Sequence, residues 1–126
     1  MSATIGSSAS KEFIVGEGDT AVALGSGDVP VLGTPRLIAW CEEVTVLALT
    51  PELQAGQTSV GYQIRVDHLA PTPVGGAVAV QASIAEVDGR QVGFEILAAD
   101  GNGDVARGTI TRVLVDRERF IAKATG

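Results

Sequence analysis

An α+β domain, in which an antiparallel sheet wraps one long central helix, is the architecture this 126-residue chain encodes. Three features point to it. A long segment that is apolar on almost every side follows Thr34-Pro35 and runs to Pro51. Everything after Gly56 alternates or turns as β-structure does. Only a short strand precedes the helix, so strands and helix are segregated along the chain rather than interleaved.

Taken in order, residues 1 to 10 are small and polar and read as a flexible tail, and residues 11 to 126 as a single domain. Lys11 to Val15 reads as a short strand, Asp19 to Leu24 is apolar but brief, and the Gly25-Ser26-Gly27-Asp28 stretch is a loop. At Thr34-Pro35 the threonine suits an N-cap, and proline suits the first helical position because its missing N–H has no partner to lose. The helix that follows carries only Arg36, Glu42 and Glu43 as charges, which predicts burial on most faces.

Beyond Gly56, Thr58 to Gly75 holds the only histidine. Period two places Val60, Tyr62, Ile64, Val66 and His68 on one face, and Ser59, Gln63, Arg65 and Asp67 on the other. Pro71 and Pro73 end that strand. Val74 to Val87 is the next strand, Asp88-Gly89 a hairpin turn, and Arg90 to Ala99 its partner. Gly101-Asn102-Gly103 turns the chain into a last strand, Asp104 to Val115. The expected order is strand, helix, then four strands in a meander. One helix cannot cover both faces and the edges of such a sheet, so the unit is expected to dimerise.

Composition excludes several functions. Apolar residues make up 45% and charged residues 19%, as in ordinary globular domains. A net charge of −6 with only scattered arginines argues against nucleic acid or a membrane surface as partner. One Cys and one His cannot build a standard zinc site, and the lone Cys41 cannot form an internal disulfide. The N-terminus lacks a secretory apolar core, and no apolar run approaches the roughly 18 residues of a membrane span. The expectation is a cytoplasmic protein without metal or cofactor.

The segments GTPRLIAWCEEV, GYQIRVDHLAPTPVG, EVDGRQVGFEI and GTITRVLVDRERF together resemble the hot-dog thioesterases related to fluoroacetyl-CoA thioesterase. The resemblance extends from about residue 11 to residue 123. In that family a Thr, a Glu eight residues later and a His 26 residues after the Glu form the catalytic set; Thr34, Glu42 and His68 have those spacings. The family's glycine seven residues before the histidine, and its arginine in the last strand, fall on Gly61 and Arg112.

Each residue also has a plainer explanation. Thr34 suffices as an N-cap, Gly61 as a bulge, and His68 as a structural residue on an apolar row. Glu42 sits among Ile38, Cys41, Thr45 and Val46, where a carboxylate is partly desolvated. Glu43 has similar neighbours, so periodicity does not choose between them; the resemblance does. Arg112 shares the parity of Ala106, Gly108, Ile110 and Leu114, a row in which a charge snorkels or finds a partner. Cys41, Trp40 and Tyr62 read as core.

The resemblance implies hydrolysis of an acyl-CoA to free acid and CoA. Glu42 is expected to attack the thioester or to activate water. His68 moves protons, and Thr34 orients the carboxylate or substrate. A backbone N–H near Gly61 would receive the oxyanion, and Arg112 would pair with a carboxylate or the ligand. These residues are far apart in sequence, so they are expected to meet across a homodimer. The fluoroacetyl-selective branch carries phenylalanines before its catalytic threonine, whereas Leu24 to Thr34 contains no aromatic residue. A different acyl group, short or medium in length, is therefore expected. Two competing classes are a hot-dog module that binds acyl-CoA or another apolar ligand without turnover, and a hydratase or dehydratase. The hydratase motif needs a histidine near the helix start, and none is there.

Overall fold

The computed structural model describes residues 3 to 126. The elements are β1 (Ser8–Ile14), a short α1 (Ala21–Leu24), the long α2 (Thr34–Leu49), β2 (Gln57–His68), β3 (Ala77–Asp88), β4 (Gln91–Asp100), β5 (Gly103–Asp116) and α3 (Arg117–Thr125). All five strands form one antiparallel sheet in the order β1-β3-β4-β5-β2. The α+β expectation holds, but the four-strand meander does not. β3, β4 and β5 run as successive neighbours, while β2 pairs with β5 at the far edge instead of with β3. The Leu69 to Gly76 segment, with its two prolines, spans that crossing.

Two further corrections lie at the ends. β1 begins at Ser8, inside the stretch expected to be a tail, because Ser8, Ala9 and Ser10 pair with Ser83, Ala82 and Gln81. Met1 and Ser2, the start of that expected tail, lie outside the described residues. At the other end the chain continues into α3, which has no counterpart in the expected order of elements. Asp116 starts it by accepting a hydrogen bond from the Arg119 N–H at 2.9 Å.

The core forms where α2 lies across the concave face. Leu37, Trp40, Cys41, Val44, Ala48 and Leu49 are buried on one side of the helix. They meet alternate residues of β3 and β4, among them Val78, Val80, Ile84, Val92 and Phe94. Trp40 stacks on Phe13 of β1 with centroids 4.7 Å apart. The opposite side of α2 is exposed: Val46 and Leu47 keep 39% and 44% of their surface. So burial on most faces is an overstatement for one chain, and an apolar helix face remains open.

A β-bulge controls β2. The pairing with β5 slips between Gly61 and Gln63, leaving Tyr62 without an opposite residue. Cross-strand partners share a face, and the even-numbered row of β5 faces the helix. Gly61 opposite Arg112, Ile64 opposite Ile110 and His68 opposite Ala106 therefore point the same way. The single uninterrupted row predicted for β2 is replaced by two. Ser59 and Gly61 face inward before the bulge, and Ile64, Val66 and His68 after it. Val60 and Tyr62 fall outside the inner row, and Tyr62, expected in the core, is 58% exposed.

Close approach of the same two strands fixes Gly108. A β-carbon there would lie 1.9 Å from the Arg65 carbonyl oxygen and 2.8 Å from the Val66 α-carbon. Both obstacles are backbone, so a side chain can enter only by prising β2 from β5. Gly108→Ala is expected to cost about 3 kcal/mol in urea unfolding. A loss below about 1 kcal/mol would show that the strands can yield.

Candidate active site

The helix start comes first. Gly33, not Thr34, is the N-cap of α2, and Pro35 occupies the second helical position. Thr34 makes no cap. Its Oγ1 lies 2.8 Å from His68 Nδ1 at the end of β2. The other imidazole nitrogen, Nε2, is buried and has no protein partner. A buried polar atom left in that state calls for a ligand or a reacting group. Burial lowers the His68 pKa from its usual 6.5, with hydrogen bonding to the Ala70 backbone opposing the shift, so the ring is neutral at neutral pH. The Thr34 hydroxyl either donates to Nδ1 or accepts from it, depending on the tautomer.

His68 opens on a hollow of about 320 Å³, lined by Thr34, Val29, Val31, Leu32, Leu69 and Ala70. The loop before α2 is held in place by Leu32 N–H to Thr72 O at 2.9 Å and Gly33 N–H to Asp19 O at 2.9 Å. Thr72 is itself anchored, donating to Asp100 Oδ2 at 2.8 Å. The walls are aliphatic, in keeping with the absence of aromatic residues from this segment.

A second cluster forms two turns further along α2. Glu42 Oε2 lies 3.5 Å from Arg112 Nη1. Arg112 is buried and held from two more directions: Nε donates to Ser59 Oγ at 2.8 Å and Nη2 to the Ser59 carbonyl at 3.2 Å. Burial lowers its pKa from the usual guanidinium value, and the Glu42 carboxylate pushes back. Gly61 lies against the carboxylate: a β-carbon there would sit 2.5 Å from Glu42 Oε2. Glu43, indistinguishable from Glu42 by periodicity, turns to the surface and pairs with Lys11 of β1. Cys41 is buried, and desolvation, followed by the neighbouring Glu42 charge, pushes its thiol up to about 12. It is protonated and inert.

The structure thus brings Thr34 to His68, and Glu42 to Arg112 and Gly61, but keeps the two sets apart. Thr34 and Glu42 are about 12 Å apart along the helix axis, from eight residues at 1.5 Å each. His68 and Gly61 are about 20 Å apart along the strand. Among the described residues no hydrogen bond joins the two clusters. Ser59, which orients Arg112, was missed in the sequence because the unbulged reading faced it away from the core. Gly61, readable as a bulge, and the odd spacing from Gly61 to His68 are the signals for the bulge that turns it inward.

A family model described as fluoroacetyl-CoA-specific thioesterase matches residues 15–118. The fluoroacetyl-CoA thioesterase of Streptantibioticus cattleyicolor is 36% identical over 93 residues, which are 74% of this chain and 67% of that one. Among solved structures, a variant of fluoroacetyl-CoA FlK in complex with acetyl-CoA superposes with a TM-score of 0.91. It is 29% identical, over 97% of this chain and 96% of that chain. A hot-dog-like protein from Thermanaerovibrio acidaminovorans superposes at 0.88 with 25% identity, over 98% and 94% of the two chains. The fold is the hot-dog fold, and the chain belongs to the fluoroacetyl-CoA-specific thioesterase family.

Proposed function

We propose that the protein is a cytoplasmic homodimeric acyl-CoA thioesterase acting on short or medium acyl groups, with each site shared between two copies. The observation that carries this reading is the buried, unpartnered Nε2 of a neutral His68 held by Thr34 at the mouth of an aliphatic hollow. A hollow of about 320 Å³ is at the small end of ligand pockets. Its lack of aromatic walls favours an acyl group other than fluoroacetyl. The acetyl-CoA complex of a family relative supports CoA as the carrier. A buried protonated Cys41 fits a reducing compartment.

Strand geometry supports the dimer. β2 is a twelve-residue edge strand carrying exposed Tyr62 and Ile64, and α2 leaves Val46 and Leu47 exposed. Such an edge is a template for another strand. Antiparallel pairing of β2 with its own copy, centred on Arg65 and passing over the bulged Tyr62, sets Gly61 of one chain opposite His68 of the other. The Glu42–Arg112–Gly61 cluster of one copy would then complete the Thr34–His68 cluster of the second.

In that site the thioester carbonyl oxygen would take a backbone N–H at the Gly61–Tyr62 bulge, where the ladder is interrupted. Glu42, steered by Arg112, supplies the oxygen chemistry, either attacking the carbonyl carbon itself or taking a proton from the attacking water. Where Glu42 takes the proton of the attacking water, C–S cleavage gives the acid directly, and the neutral His68 relays that proton from Glu42 to the leaving thiolate. Where Glu42 attacks, C–S cleavage leaves a mixed anhydride. His68 then takes a proton from water, and the hydroxide opens the anhydride to the free acid and the Glu42 carboxylate. His68 passes the proton to the CoA thiolate. No cofactor beyond the substrate's own CoA enters these steps.

Thiol release from a series of acyl-CoAs, short to long and including fluoroacetyl-CoA, tests the reading. His68→Ala and Glu42→Ala should each lower kcat at least about a thousandfold without loss of fold, and the acid limb of kcat/KM should fall below pH 6.5. Full activity in both variants would remove this site. Gly61→Ala should lower kcat about a hundredfold with little change in Tm, because the new methyl group displaces only the flexible end of Glu42. Circular dichroism melting beside the kinetics separates this from unfolding.

A further inference from the structure

The segment from Leu69 to Gly76, which carries the chain from β2 to β3, is exposed or half-buried at every residue but one. That residue is Thr72, at 1% exposure. Packing alone does not call for a threonine there. Valine has nearly the same shape and avoids the cost of burying a hydroxyl. The Thr72 hydroxyl donates instead to Asp100 Oδ2 at 2.8 Å, 28 residues away in sequence. Gly76 keeps the room for this side chain, since a β-carbon there would lie 2.6 Å from Thr72 Cγ2.

Asp100, for its part, makes one bond more than its turn requires. Its Oδ1 accepts from the Asn102 N–H at 2.8 Å, the local bond that shapes the turn between β4 and β5. Its Oδ2 is not needed for that turn and serves Thr72. Thr72 then passes the tie on to the helix start. Its carbonyl accepts from the Leu32 N–H at 2.9 Å, and Val31 pairs with Pro73 beside it.

These bonds meet at the site. Leu32 stands two residues before Thr34, and Thr72 four residues after His68. The His68 arm is set directly by β5, through the pairing of His68 with Ala106 and the Leu69 N–H bond to Val105 O at 2.7 Å. The Thr34 arm is tied to the same sheet through Leu32, Thr72 and Asp100. The 2.8 Å contact between Thr34 Oγ1 and His68 Nδ1 closes the circuit. We infer that Thr72 and Asp100 are positioning residues that hold Thr34 in register with His68. Neither lines the hollow on which the imidazole opens, so both act through the Thr34–His68 contact. Misplacing a reacting group by about 1 Å costs on the order of a hundredfold in rate.

His68 is the only histidine of the chain, so histidine labelled at its nitrogens gives a single imidazole to follow by NMR. In the wild type the ring should show one tautomer, with Nδ1 hydrogen-bonded. Thr72→Val should mix the tautomers, as Thr34→Ala does, and Thr72→Ser should keep the wild-type spectrum. The kinetic half of the test rests on the thioesterase reading above. Thr72→Val should lower kcat at least about tenfold with KM within about twofold, and Thr72→Ser should restore it. Added to Thr34→Ala, Thr72→Val should cost nothing further.

If Thr72→Val does not fold by circular dichroism, Asp100→Asn keeps the turn bond through its carbonyl oxygen and should shift the ring signal in the same direction. Absence of hydrolysis from every acyl-CoA would end the thioesterase reading and leave the ring spectrum to decide the positioning role. A wild-type spectrum in the folded variant would overturn that role. So would losses in kcat that add in full to those of Thr34→Ala, because Thr72 would then act elsewhere.

Discussion

The bulge at Tyr62 is the constraint on which the rest of the site depends. Gly61 and His68 are an odd number of residues apart, so in a regular strand one would face the helix and the other solvent. One unpaired residue reverses the parity and turns both toward α2. Without it, the row begun by Ser59 and Gly61 would continue as Gln63, Arg65 and Asp67, burying polar groups and expelling the imidazole. The same irregularity interrupts the ladder at Gly61, which lies against the Glu42 carboxylate. A single local defect thus serves both packing and orientation.

The helix supplies the complementary spacing. Thr34 and Glu42 stand two turns apart, each opposite one of the two inward segments of β2. Arg112 is what makes a half-buried carboxylate tolerable. It is fixed by both the side chain and the carbonyl of Ser59, so its position does not depend on Glu42. An arginine pre-set in this way can steer a carboxylate without being carried off by it. Glu43, one residue on, is turned by helical geometry to the surface and Lys11. That single 100° step separates a site residue from a surface ion pair.

Much of this was legible in the sequence, and what was not has physical causes. Patterning gave the α+β class and the long helix, because both rest on burial periodicity that every residue of an element reports. The hot-dog family was visible in the spacing of Thr34, Glu42 and His68. Strand order was hidden because β2 reads as a neighbour of β3 until the proline-containing crossing is seen to carry the chain over. A bulge was one reading of Gly61, but period two is the default, so its effect on the facing of Ser59, Tyr62 and Gln63 was not legible. Thr34 looked like a cap because threonine before proline usually is one; here its hydroxyl is committed to the imidazole and a glycine does the capping. The short helix α3 escaped because it buries nothing, so it leaves no apolar stripe to read.

The central claim is that catalysis needs both clusters but that one chain does not join them. Mixing Glu42→Ala with His68→Ala, each inactive alone, after dissociation and reassociation tests it directly. Random pairing makes half of the dimers mixed, and each mixed dimer holds one intact site and one doubly broken one, so about a quarter of wild-type activity should return. Recovery to that level would establish a site shared between copies. No recovery, with mixed dimers shown to form, would contradict it and place Thr34, Glu42 and His68 of one chain in a single site.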